Sequence, residues 1–88
     1  MKLHQIRDFL AVARSGSLRA ASRDLELSQP SISKSIQQLE STLGAPLFER
    51  SIKGVSLTPF GEVFLTRGRA ALNELQRAQE EIHQLRGV

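Results

Sequence analysis

The side chains with the clearest chemical bias stand between Ser28 and Leu39. The polar side chains of that stretch are short hydroxyls, amides and a single lysine, with no Asp or Glu until Glu40 follows it. On a helix turning about 100° per residue, Pro30, Lys34, Gln37 and Ser41 share one face, with Ser33 and Gln38 flanking it and Gln29 at its start. Such groups are the donors and acceptors that hydrogen-bond base edges and phosphates in a major groove, and none of them repels a phosphate. A helix face that only has to be wet mixes Glu and Lys at i, i+4 spacing, and this one does not. Other chemistries lack their residues: the sequence has no paired carboxylates, no His matched by motif to a Ser or Cys nucleophile, and no Gly-rich phosphate loop. An enzyme therefore has little support. With no cysteine, and with His4 and His83 isolated from each other, neither a metal nor any other cofactor is expected.

These side chains need a rigid carrier, and the sequence supplies one. Ile32, Ile36, Leu39 and Leu43 recur at steps of four, three and four, an apolar stripe that predicts a helix capped by Ser28, carrying Pro30 in its first turn and closed by Gly44. Upstream, Leu3, Ile6, Leu10 and Ala13, with Phe9 beside them, predict a first helix ending at Ser15-Gly16. Ser17 caps a second helix with Leu18, Ala21 and Leu25 inward, its two alanines allowing close approach of a neighbour. This second helix, a tight turn and the helix that carries the polar face make a helix-turn-helix. From Leu47 to Leu57 the pattern becomes two brief strands broken at Lys53-Gly54, a wing that must lean on the helices through Leu47, Phe48, Val55 and Leu57. Thr58-Pro59 opens a last helix reaching about Arg86, and Phe64, Gly68, Ala71, Leu75, Ala78, Ile82 and Leu85 form a heptad-like seam along it. The seam is either a dimerisation surface or packing for a helix folded back on its own core.

At 88 residues the chain is one domain with an appendage, too small for a typical buried enzyme cleft. Its net charge of +3 is unevenly placed: residues 1–60 hold eight basic and five acidic side chains, residues 61–88 four of each. The excess thus accompanies the helix-turn-helix, as nucleic-acid binding requires. No apolar run suits a membrane span or a signal peptide, so a soluble, cytoplasmic protein with no membrane partner is expected.

In order and spacing, F-L-A-V-A, G-S-L-R-A-A-S-R-D-L, L-S-Q-P-S-I-S-K-S-I-Q-Q-L-E, L-G-A-P-L-F-E-R and G-V-S-L-T-P-F-G extend along the chain. Over all 88 residues it resembles the N-terminal winged helix-turn-helix and linker helix of LysR-type bacterial transcriptional regulators. The resemblance implies a mainly α fold of three helices plus a two-stranded wing (residues 1–58), followed by a linker and dimerisation helix (59–88). It implies promoter DNA as partner, a homodimer through the linker helix, tetramers of the full-length protein, and a small-molecule inducer only for a C-terminal effector domain that this chain lacks. Base contacts carry over to Gln29, Pro30, Ser33 and Lys34, and the wing arginine to Arg50. Ser31, Gln37, Ser51 and Lys53 carry over as secondary contacts to bases or phosphates. Lys34 stands where many members carry arginine, and lysine is a point charge without the fork that reads guanine. For Arg50 the competing role is a surface pair with Glu49 or Glu40. As a whole, the sequence points to a sequence-specific DNA-binding module, with a protein-interaction module acting through the long helix as the alternative.

Overall fold

The structure is a computed structural model and describes residues 1–87; Val88, the last residue of the expected linker segment, lies outside the described residues. Three helices come first: α1 (Leu3–Ser15), α2 (Leu18–Leu25) and α3 (Gln29–Leu43). A hairpin of β1 (Phe48–Ser51) and β2 (Gly54–Leu57) leads into α4 (Pro59–Leu85).

Local chemistry sets most of these boundaries. Ser17 Oγ accepts the Ala20 amide at 3.0 Å, Ser28 Oγ the Ser31 amide at 3.2 Å, and Thr58 Oγ1 the Gly61 amide at 3.0 Å, each satisfying a donor that its helix leaves unpaired. α3 ends at Gly44, whose φ of 70° lets its N–H turn back to the Glu40 carbonyl at 2.8 Å. The turn between α2 and α3 does the same without a glycine: Glu26 holds φ 56° and ψ 41°, while Leu27 N–H bonds the Ser22 carbonyl and Ser22 Oγ donates to the Leu27 carbonyl.

Phe9, Ala11, Val12, Ala21, Ile32, Ile36, Leu39 and Leu47 form the core. Phe9 lies at its centre, with ring centroids 5.1 Å from Phe48 and 5.3 Å from Phe64, the latter edge-on. Phe48, Val55 and Leu57 are half-buried against this core, as the wing requires. Two expected stripes are corrected. On α1, Leu3 is exposed and Leu10 and Ala13 only half-buried, whereas Gln5, Asp8, Phe9, Ala11 and Val12 are buried along with Ile6. α1 is packed by α2, α3 and α4 together, so its buried arc is wider than one stripe and centred elsewhere. On α3, Leu43 is partly exposed because the helix stops there, at the rim of a groove shared with Ala45, Leu47, Phe60, Val63, Phe64 and Arg67.

The wing pairs antiparallel, Arg50 opposite Val55 and Ser51 opposite Gly54, which puts Ile52-Lys53 at the turn, one residue earlier than expected. The positive φ falls at Gly54, which opens β2 after the turn, and a Cβ there would meet the Gly16 carbonyl oxygen at 3.3 Å.

α4 is fastened at its start. Thr58 N–H donates to the Leu47 carbonyl at 3.0 Å, Thr58 Oγ1 donates to the Pro46 carbonyl at 2.6 Å, and a Cβ on Gly61 would stand 2.1 Å from the Leu47 oxygen. Only glycine permits that contact. Phe64 packs on Phe9, and Gly68 is buried where an added Cβ would touch Ile6 at 3.3 Å. Of the expected dimer seam, these two residues pack on the chain's own core. From Ala71 onward only Leu72 is partly covered among the described residues, and the helix runs out into solvent instead of folding back, giving a molecule 51 × 26 × 19 Å.

Candidate nucleic-acid interface

The polar face of α3 points away from the core. Gln29, Pro30, Ser31, Lys34 and Gln37 are exposed, and Ser33 is half-buried toward the wing. Glu40 ends the acid-free run, and its carboxylate is turned aside: Oε2 accepts the Leu47 amide at 2.7 Å, in the loop after α3. Ser31 accepts a hydrogen bond from Ser28 Oγ at 2.8 Å, which leaves its own O–H free to donate outward.

Two concavities run along the shoulders of α3. On one shoulder Arg50 meets Leu18, Ser22, Gln29, Pro30 and Ser33, and a deeper part of the same cleft reaches Gln37 and Glu40. Arg50 makes no ion pair among the described residues, so the surface-pair role with Glu49 or Glu40 is not the one the structure adopts. Its guanidinium has five donors and stands beside the α3 face. Ser51 Oγ accepts the Lys53 amide at 3.3 Å and shapes the exposed wing tip, where Lys53 stands beside a fully exposed Ile52. Nothing in the periodicity singled out Ile52; an isoleucine next to a turn reads as a strand residue until the register is known.

On the other shoulder Ser31, Lys34, Ser35 and Gln38 face Lys2, His4, Arg7 and Asp8 of α1 and its cap. Sequence reasoning did not assign this edge, since α1 was read only for its apolar stripe. Helices α1, α2 and α3 carry no acidic residue in their first turns, unlike α4, which has Glu62. Their positive N-terminal ends are left without a carboxylate to balance them.

Of the expected dimer residues, Ala71, Leu75, Ala78, Ile82 and Leu85 are exposed, with Leu75 at 47% and Leu85 at 88% of full accessibility. The groove at the start of α4 leaves Phe60 and Val63 more than half exposed as well. Among the described residues no cluster of His, Asp or Glu is able to hold a metal ion, and no helix is long and apolar enough to cross a membrane.

The sequence model of the bacterial regulatory helix-turn-helix protein, lysR family, matches residues 3–62. The chain is 40% identical over 88 residues to the uncharacterized HTH-type transcriptional regulator YdcI of Escherichia coli K12, covering all of this chain and 29% of that protein. It is 48% identical over 73 residues to the HTH-type transcriptional regulator ClcR of Pseudomonas putida, covering 83% of this chain and 25% of that one. The chain thus spans under a third of the length of either curated relative. Among solved structures, the DNA-binding domain of BenM in complex with catB site 1 DNA superposes with a TM-score of 0.95 at 31% identity, covering 100% of this chain and 99% of that one. The CbnR DNA-binding domain in its DNA complex gives 0.91 at 38% identity, covering 97% and 98%.

Proposed function

The chain belongs to the lysR family of bacterial regulatory helix-turn-helix proteins, and from that premise we propose that it is the operator-reading module of a transcription regulator, with α3 in the major groove of duplex DNA. The observation that carries this reading is the exposed, acid-free face of α3 beside an unpaired Arg50. Gln29, Pro30, Ser33 and Lys34 face base edges, Gln37 and Ser31 assist, and Arg50, Ser51 and Lys53 bring the wing to the adjacent minor groove. A narrow A·T-rich minor groove concentrates negative potential, which favours an inserted guanidinium. The module is a binder and not a catalyst, and it works in the cytoplasm with its promoter DNA.

Residues 1–58 read the DNA and residues 59–88 join two copies. Two antiparallel α4 helices bring Leu75 near Leu75 of the second copy, and they carry Ile82 and Leu85 toward the groove formed by Leu43, Phe60 and Val63. Each large side chain so covered contributes roughly 1.5 to 3 kcal/mol before the entropy of association is subtracted. Tetramers and a small-molecule inducer are assigned to the part of the relatives' length that this chain does not span.

A salt titration tests the DNA reading. If several phosphates are neutralised per protomer, the logarithm of the affinity for duplex DNA falls linearly with the logarithm of salt concentration, at about 0.9 units per phosphate. Affinity independent of salt overturns the reading, and in that case the exposed seam of α4, docked on a protein partner, is the function that remains.

A further inference from the structure

The two shoulders of α3 differ in what they carry but not in what they offer. An α-helix about 10–12 Å across fills a major groove about 12 Å wide, so whatever stands on its two shoulders meets the two phosphate backbones that border the groove. Ser33 and Gln37 mark the shoulder taken by Arg50 and the wing; Ser31, Lys34 and Gln38 mark the one taken by α1. There Lys2, His4 and Arg7 gather within one concavity with Lys34.

We propose that this α1 edge is a second backbone grip: Lys2, His4 and Arg7, acting beside Lys34, hold phosphates of the strand bordering the groove opposite the wing. The inference rests on the DNA reading above and extends it to residues outside the helix-turn-helix proper.

Three features support it. The edge is fixed in place relative to the reading face, because Gln5 Nε2 on α1 donates to Gln38 Oε1 on α3 at 3.2 Å. Arg7 is aimed by Asp8: its Nε and Nη2 donate to Asp8 Oδ1 at 3.0 and 2.8 Å, and the buried carboxylate thereby holds the half-exposed guanidinium at the rim with Nη1 uncommitted. Asp8 offsets the charge of Arg7, so the net positive charge of the edge comes from Lys2 and Lys34 and from the unbalanced N-terminal end of α1. Finally, Ser35 lines the same concavity at 5% exposure, and its Oγ has no hydrogen-bond partner. A buried hydroxyl without a partner costs about 1–3 kcal/mol, so this edge is left with an unsatisfied polar group beside its basic side chains.

Binding of the chain to a random-sequence duplex of about 30 base pairs, titrated at several salt concentrations, tests the proposal without knowledge of the operator. Lys2→Glu is compared with Arg69→Glu, an identical change of charge on exposed α4. Lys2→Glu also places an acid at a helix N-terminus, so a merely structural role raises the thermal midpoint and leaves DNA affinity alone. The proposal expects Lys2→Glu to weaken binding roughly tenfold and to flatten the salt slope by about one unit, against about twofold at most and an unchanged slope for Arg69→Glu. Equal losses for the two variants overturn it. A wild type that binds with the expected slope alongside such equal losses removes the α1 grip alone. A wild type without salt-dependent binding removes the DNA reading and this inference with it.

Discussion

The two halves of α4 carry one residue pattern and meet opposite fates. Phe64 and Gly68, in the first half, are spaced like Leu75, Ala78, Ile82 and Leu85 in the second, yet the first pair is locked against Phe9 and Ile6 while the later four stand in solvent. A periodic apolar stripe states that a helix has a face to cover. It does not state whether the cover comes from the same chain or from another.

Phe9→Ala breaks the covered half most severely. Removing a fully buried ring that touches both Phe48 and Phe64 costs about 3–5 kcal/mol, enough to lower the thermal midpoint by more than roughly 10 °C in a domain of this size. A shift below a few degrees is incompatible with Phe9 at the centre of the core between Phe48 and Phe64.

Leu75→Glu acts on the other half and has to leave the fold alone. Sedimentation is expected to show a wild type that self-associates and a variant that stays monomeric, because like charges meet near the centre of an antiparallel seam. The midpoint of unfolding at low protein concentration moves by no more than about 2 °C, as for other exposed substitutions. A variant that associates as strongly as the wild type removes the seam from the mechanism.

The smallest effect sharpens the contrast from within the reading head. Glu26 sits at φ 56°, a conformation in which glycine has no steric cost, and it is the one described non-glycine residue with positive φ. Glu26→Gly is expected to raise stability by about 0.5 kcal/mol, the relief of strain being partly offset by the greater freedom of glycine in the unfolded chain. Calorimetry that finds destabilisation means that the Glu26 side chain holds the turn by a contact of its own.

The helix boundaries were legible because caps are local: Ser17, Ser28 and Thr58 each satisfy a donor within three residues, and Gly16 and Gly44 take the left-handed positions that end their helices. The polar face of α3 was legible for a similar reason, as one helix sets its geometry. What stayed hidden depends on neighbours. The buried arc of α1 is drawn by three helices packing on it, the partial exposure of Leu43 by the end of α3, and the basic shoulder by where α1 lies against Ser31 and Gln38. The position of Ile52 at the wing tip follows from a register that alternation alone leaves free to slip by one residue.

The joint at Thr58 sets a mechanical gearing. Hydrogen bonds from Thr58 to the Pro46 and Leu47 carbonyls, with Gly61 pressed under the latter, clamp α4 to the loop that leaves α3, so the long helix is a lever with its fulcrum beside the reading head. Beyond Gly68, where the helix leaves the core, about 25 Å of it is free, and a tilt of about 10° there swings the far end by about 4 Å, a little more than the rise of one base pair. A displacement imposed on α4 is passed to the loop that leaves α3 through this clamp. In the proposed antiparallel pair, the spacing of the two α3 helices is thereby set at a distance from the side chains assigned to the bases.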